Sequence, residues 1–153
     1  MKALILVDIQ KDFCKNGALE VKDGDMIVPI ANKMIDFFKE KGDMVIGTKD
    51  WHPSSHKSFA VNSNGKIGEV GELNGLPQVW WPVHCVQNEN GSKFHSELHS
   101  IENVIYKGEN PEIDSYSAFF DNGKRYKTSL DNILKNNRFY TKFIDKTVGM
   151  IVK

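Results

Sequence analysis

Two cysteines, Cys14 and Cys85, are all that 153 residues contain, too few for a disulfide framework. No apolar run approaches the roughly 20 residues that span a bilayer, so a membrane-embedded chain is not expected. Lys plus Arg and Asp plus Glu number 20 each, which removes the electrostatic footprint of a nucleic-acid binder or a partner for anionic lipid. The chain does not open on a basic segment followed by an apolar one, and the expected compartment is a reducing cytoplasm. Internal repeats, heptads and low-complexity tracts are also missing, which excludes solenoids and coiled coils. What remains is a small neutral domain with a small-molecule partner. At 17.4 kDa it has the length of one unit, 1–153, able to bury a core without metal or disulfide support.

The positive signals begin with Ala3-Leu4-Ile5-Leu6-Val7, a short continuous apolar run ending at Asp8, which is how a strand covered on both faces reads. From Met26 to Lys41 apolar residues recur at three and four (Ile27, Ile30, Met34, Ile35, Phe38), and Gly42 follows a lysine-rich end; this predicts an amphipathic helix. Met44-Val45-Ile46 supplies a second strand. Strand, helix, strand in that order predicts a right-handed crossover in an α/β domain, a doubly wound, Rossmann-like parallel sheet with flanking helices. Between Lys49 and Asn103 periodicity fails in a stretch rich in Gly, Pro, Asn and Ser, and so long an irregular segment is expected to be functional. Val104-Ile105-Tyr106 is a third strand delivering Lys107, and Thr128 or Ser129 caps a helix reaching about Asn136. Phe139 to Lys153 reads poorly as a further buried strand, because Lys142, Asp145 and Lys146 interrupt it.

In open parallel sheets ligands sit at the carboxyl ends of strands, so Asp8, Asp50 and Lys107 are expected on one rim. Asp50-Trp51-His52 puts a carboxylate and an imidazole on the same side of an extended segment, and His84 downstream completes a candidate divalent-metal site. His56 and Ser58 are candidate supporting groups. An Asp and two His with open positions suit zinc, iron or manganese. The plainer readings stand beside these: a turn aspartate next to a surface histidine, a core His84, a helix-capping Asp8 and an exposed Lys107. Cys14 and Cys85 read first as packed thiols.

Five separated blocks carry a more specific signal. Val7-Asp8-Ile9-Gln10-Lys11-Asp12-Phe13 resembles the V-D-x-Q-x-D-F opening of nicotinamidases in the isochorismatase-like hydrolase superfamily. Lys49-Asp50-Trp51-His52-Pro53, Gly75-Leu76-Pro77, Trp81-Pro82-Val83-His84-Cys85-Val86-Gln87 and Lys107-Gly108-Glu109-Asn110-Pro111, running into Asp114-Ser115-Tyr116-Ser117-Ala118-Phe119, follow in the same order. The resemblance extends to about residue 136. It implies hydrolysis of nicotinamide or pyrazinamide to the acid and ammonia, in NAD salvage, with one divalent ion, zinc foremost and iron or manganese compatible. It implies Asp8 as general base, Lys107 as its lysine partner, and Asp50, His52 and His84 as metal ligands, with Ser58 a fourth ligand or a water-holding group. Phe13, Trp51 and Tyr116 become walls of the ring pocket. Carbamoyl and ureido amidases are disfavoured, since those relatives lack the D-W-H and H-C-V blocks.

The G-x-A-T-D-x-C-V turn that carries the nucleophilic cysteine in such enzymes has no match here, and 137–153 departs from the pattern. The expectation is therefore a C-terminally truncated member, inactive alone, with the alternative of a catalytically dead chain retaining metal or ligand binding. Uncovered apolar surface would favour association, and a homo-oligomer is among the expected states.

Overall fold

The computed structural model describes residues 2–137; the expectations for 138–153 lie outside the described residues. Its centre is a three-stranded parallel sheet in the order β1 (Ala3–Leu6), β2 (Met44–Asp50), β5 (Asn103–Lys107). Ala3 pairs with Met44 and Leu6 with Gly47; Ile46 pairs with Asn103 and Asp50 with Lys107. β2 and β5 thus run on past the end of β1 and set Asp50 beside Lys107.

One helix lies on each face, as a doubly wound sheet requires. Helix α1 (Val28–Glu40) has Pro29 in its first turn, where a missing N–H costs nothing, and packs Val28, Ala31 and Ile35 against Leu6, Ile9 and Val45. Burying each Val or Ile side chain contributes about 1.5–3 kcal/mol. The buried stripe is rotated from the one expected: Ile30 and Met34, predicted to face the core, are exposed, because the sheet is met by 28, 31 and 35. The helix stops where Gly42 turns left-handed (φ 67°), its N–H donating to Lys39 O at 3.0 Å and that of Asp43 to Phe38 O at 2.9 Å. This double closure satisfies two orphan carbonyls. Helix α2 (Leu130–Asn136) covers the other face, joining Leu130 and Leu134 to Ile46, Ile105 and Ala118. Strand alternation sends neighbours Val45 and Ile46 to these two separate cores.

The segment expected to be irregular contains a hairpin, β3 (Val70–Leu73) and β4 (Leu76–Val79), joined by Asn74-Gly75. Both turn residues have positive φ (50° and 80°), the conformation a two-residue hairpin loop needs and that Asn-Gly supplies.

Candidate metal and acid–base site

Asp8, Asp50 and Lys107 meet at the carboxyl rim of the sheet, beside a cavity of about 460 Å³ that they help to line with Phe13, Trp81, His84 and Tyr116. Lys107 is 5% exposed, so the surface-lysine reading is excluded. Its Nζ lies 2.8 Å from Asp8 Oδ2 and also donates to Asp50 Oδ1. A third donation reaches Ser115 O at 3.2 Å. Burial disfavours the ammonium, yet the Asp50 and Asp8 carboxylates outweigh it and hold Lys107 above the usual lysine range.

The two carboxylates part company. Burial, the largest influence on Asp8, pushes its carboxyl up; Lys107 works against this and the Asp50 charge adds to it. Burial would raise Asp50 too, but Lys107, His52 and His84 together hold it below the ordinary value. A raised carboxyl beside a lowered one separates a proton-accepting group from a permanently anionic one. Asp8 is further fixed by Thr48, whose hydroxyl donates to Oδ1 at 2.5 Å while accepting the Asp8 N–H at 3.2 Å. The backbone of Asp8 is left-handed (φ 52°), an unusual conformation that Asp tolerates better than most side chains.

Asp50 also faces two imidazoles, with its oxygens 3.9 Å from His52 Nε2 and 4.0 Å from His84 Nε2. Each ring has its other nitrogen against a backbone carbonyl: His52 Nδ1 to Gly108 O at 2.9 Å and His84 Nδ1 to Pro82 O at 2.8 Å. A carbonyl only accepts, so when the rings are neutral each Nδ1 carries the proton and each Nε2, on the side of Asp50, is the nitrogen left free to bind a metal. Three ligand atoms within 4.8 Å of one another, on buried residues, fit a shared divalent ion, whose ligand atoms at about 2 Å each stand roughly 3–4 Å apart. Burial, and then the neighbouring His52, hold His84 below the usual histidine value, which favours the neutral ring that metal binding requires. Gly108 is required at its position. Its φ is 69°, and a Cβ there would meet His52 Cε1 at 2.4 Å.

His56 and Ser58 stand behind this cluster. Ser58 Oγ lies 2.7 Å from His56 Nδ1, so the serine is engaged with the imidazole. His56 Nε2 is buried with no hydrogen-bond partner among the described residues, and His56, His52 and Asp114 form a second close group. Burial, with His52 adding to it, pushes His56 down to about 4.

Phe13 packs edge-on against His84, ring centroids 5.7 Å apart, and Tyr116 stands edge-on to Trp81 at 6.5 Å. Trp51 is not among the residues lining this cavity; its ring lies tilted against Tyr106, centroids 5.0 Å apart, with the Lys49 ammonium 5.8 Å from its centre. Alternation along the chain explains this, since Trp51 points opposite to Asp50 and His52. Cys14 lines the cavity but is buried, and burial, then Asp25, raise its thiol. Cys85 is fully buried and raised further, by burial and then by Asp50. Among the described residues no charge outweighs burial at either thiol, so neither is poised as the thiolate that attacks carbonyls.

Reading residue types missed Thr48, which forms part of a strand and carries no motif, and Asp114 and Trp81 as lining groups. Trp81 and Asp114 lay inside the matched blocks, which was a usable signal; Thr48 offered none beyond lying two residues before Asp50.

Parallel strands with a helix on either face, and a carboxylate, lysine and histidine cluster at their carboxyl ends, define a doubly wound α/β domain with a rim-mounted polar site. The chain belongs to the isochorismatase family: the Isochorismatase domain matches residues 2–144. It is 52% identical over 138 residues to the nicotinamidase of Escherichia coli (strain K12), covering 89% of this chain and 65% of that protein. The solved Acinetobacter baumanii nicotinamidase pyrazinamidease superposes with a TM-score of 0.81 at 40% identity, covering 88% of this chain and 65% of the other. The Pyrococcus horikoshii pyrazinamidase in complex with zinc gives 0.70 at 40% identity, over 89% of this chain and 64% of that one. The chain thus spans just under two thirds of the length of these relatives.

Proposed function

We propose that this chain is the acid–base and metal-binding part of a nicotinamidase-type amidohydrolase, converting nicotinamide and water to nicotinate and ammonia in cytoplasmic NAD salvage, with pyrazinamide as a second substrate. The observation that carries the reading is Lys107 held between Asp8 and Asp50, with Asp50 also facing the Nε2 atoms of His52 and His84. Residues 1–153 act as a single domain in this reading.

Asp50, His52 and His84 would hold the ion, which we take to be zinc by likeness to the Pyrococcus horikoshii complex. When bound, it supplies a Lewis-acid contact for a ring nitrogen. Phe13 and Tyr116 provide apolar walls for the ring. Asp8, with its raised carboxyl, accepts the proton of an attacking thiol and returns it to the departing ammonia, while Lys107 favours the anionic state at both stages. In that sequence a carbon–sulfur bond forms, the carbon–nitrogen bond breaks, and water then cleaves the thioester.

Cys14 and Cys85 are poor sources of that thiol, so the 153-residue chain alone is proposed to bind its ion and ligand without turning over at an enzyme's rate. The second reading, a catalytically silent binding domain, rests on the same two buried, unactivated cysteines. Equilibrium dialysis with zinc, followed by calorimetry with nicotinate, tests the assignment. About one ion per chain and nicotinate binding that disappears on chelation are expected. Nicotinate binding indifferent to metal would overturn the pocket assignment.

A further inference from the structure

We infer that Gln10 is a positioning residue that sets Asp50 for metal binding, an inference resting on the metal reading above. β1 pairs with β2 only as far as Leu6 and Gly47, so Asp50 has no strand neighbour on that side. The Gln10 side chain takes the strand's place. Its Oε1 accepts the Asp50 N–H at 2.8 Å, and its Nε2 donates to the Asp50 carbonyl at 2.8 Å and to Ser92 O at 3.0 Å. A primary amide reproduces both groups of a peptide unit, which no other uncharged side chain but Asn can do. Gln10 is completely buried, so water cannot substitute for it. On the opposite side the backbone is held by β5, where the Trp51 N–H donates to Lys107 O at 2.9 Å.

A second tether from the same segment reaches the other ligand arm. Asp12 Oδ2 accepts the N–H of Cys85, the residue after His84, at 2.7 Å. Cys85 is left-handed there, with φ 47°, and its carbonyl accepts the His52 N–H at 3.1 Å. Residues 8, 10 and 12 alternate along one segment: one meets Lys107, one clamps Asp50 and one clamps the residue beside His84. Ligands held to within a fraction of an ångström bind an ion more tightly than ligands that must be ordered by it, and outer partners typically contribute about 10- to 100-fold in affinity.

The test is Co²⁺ titration of the full 153-residue chain, reading both affinity and the visible d–d absorption, for wild type, Gln10→Glu, Gln10→Asn and Ile35→Val. Glu keeps the length but sets a carboxylate against two carbonyls; Asn keeps the amide one methylene short. Both Gln10 variants are expected to bind about 10- to 100-fold more weakly, with an altered absorption band. Ile35→Val, a core change on α1 at a residue that does not line the cavity, lowers stability and leaves both readouts unchanged. Gln10 variants that match wild type in affinity and spectrum overturn the positioning role while leaving the metal site standing. A wild-type chain that takes up no Co²⁺ overturns both. Should Gln10→Glu fail to fold, Gln10→Asn carries the same comparison.

Discussion

Lys107 Nζ stands 2.8 Å from Asp8 Oδ2, an ion pair between the last residue of β5 and the turn that follows β1. Because the same ammonium also contacts Asp50, one cation is shared by two buried carboxylates, the pair to which the proposed function gives proton transfer and metal binding.

Removing that cation is the first test. Lys107→Met leaves both carboxylates without their shared cation, and breaking a buried pair in this way costs about 3–5 kcal/mol. Urea unfolding at pH 7 should show a loss of that size, part of which returns on acidification as Asp8 takes up a proton. Unchanged stability would mean that water reaches Asp8 and Asp50 freely.

The proposed metal ligands give the second. His52→Ala and His84→Ala each delete a neutral nitrogen donor, and zinc affinity should fall by about 100-fold or more, beyond the roughly 10- to 100-fold typical of an outer partner. Metal content measured after dialysis decides it: equal zinc in the two variants and wild type removes the site.

The pH dependence of the metal-free chain gives the third. His56 titrates at about 4 in the folded state, against an ordinary value of 6.5, so between these pH values the unfolded chain binds more protons. Its contribution is fully present above about pH 6.5 and is lost as pH falls through about 4, roughly 3 kcal/mol in all at 1.36 kcal/mol per unit. Thermal melts across this window should show stability dropping with acid, and a His56→Gln variant should show a shallower slope. Parallel slopes in both proteins would clear His56 of the effect.

Turnover gives the fourth. Loss of a nucleophile typically costs on the order of 10⁴ to 10⁶ in rate, so the purified chain should release ammonia from nicotinamide at no more than a trace. Cys14→Ser and Cys85→Ser should leave that trace unaltered. A rate like that of a working enzyme, abolished by either substitution, would assign the nucleophile to that cysteine.

Much of this was legible in the residues. Unbroken apolar runs marked all three strands of the parallel sheet, since strands covered on both faces need no polar alternation. The carboxyl-end rule then brought Asp8, Asp50 and Lys107 together from sequence positions as far apart as 8 and 107. Three things were not legible. The outward turn of Ile30 and Met34 depends on which stripe of α1 the sheet meets, and periodicity alone accepts either. The hairpin at Asn74-Gly75 has strands of only four residues each, so the Asn-Gly pair marks a turn while its flanks are too short to mark strands. The clamping role of Gln10 depends on where β1 stops pairing, a fact of register that no residue type declares.

The pairing of Asp50 with Lys107 across β2 and β5 binds the chemistry of the rim to the alignment of the sheet. A slip of one residue would turn every side chain of β5 to the opposite face, sending Tyr106 inward and Lys107 out. The charge cluster therefore has no preassembled form in a loosely collapsed chain; it comes into being with the correct alignment and vanishes with any other. A spectroscopic label on the Lys107 ammonium would accordingly serve as a gauge of folding, reporting the alignment of strands more than fifty residues apart from a single nitrogen atom.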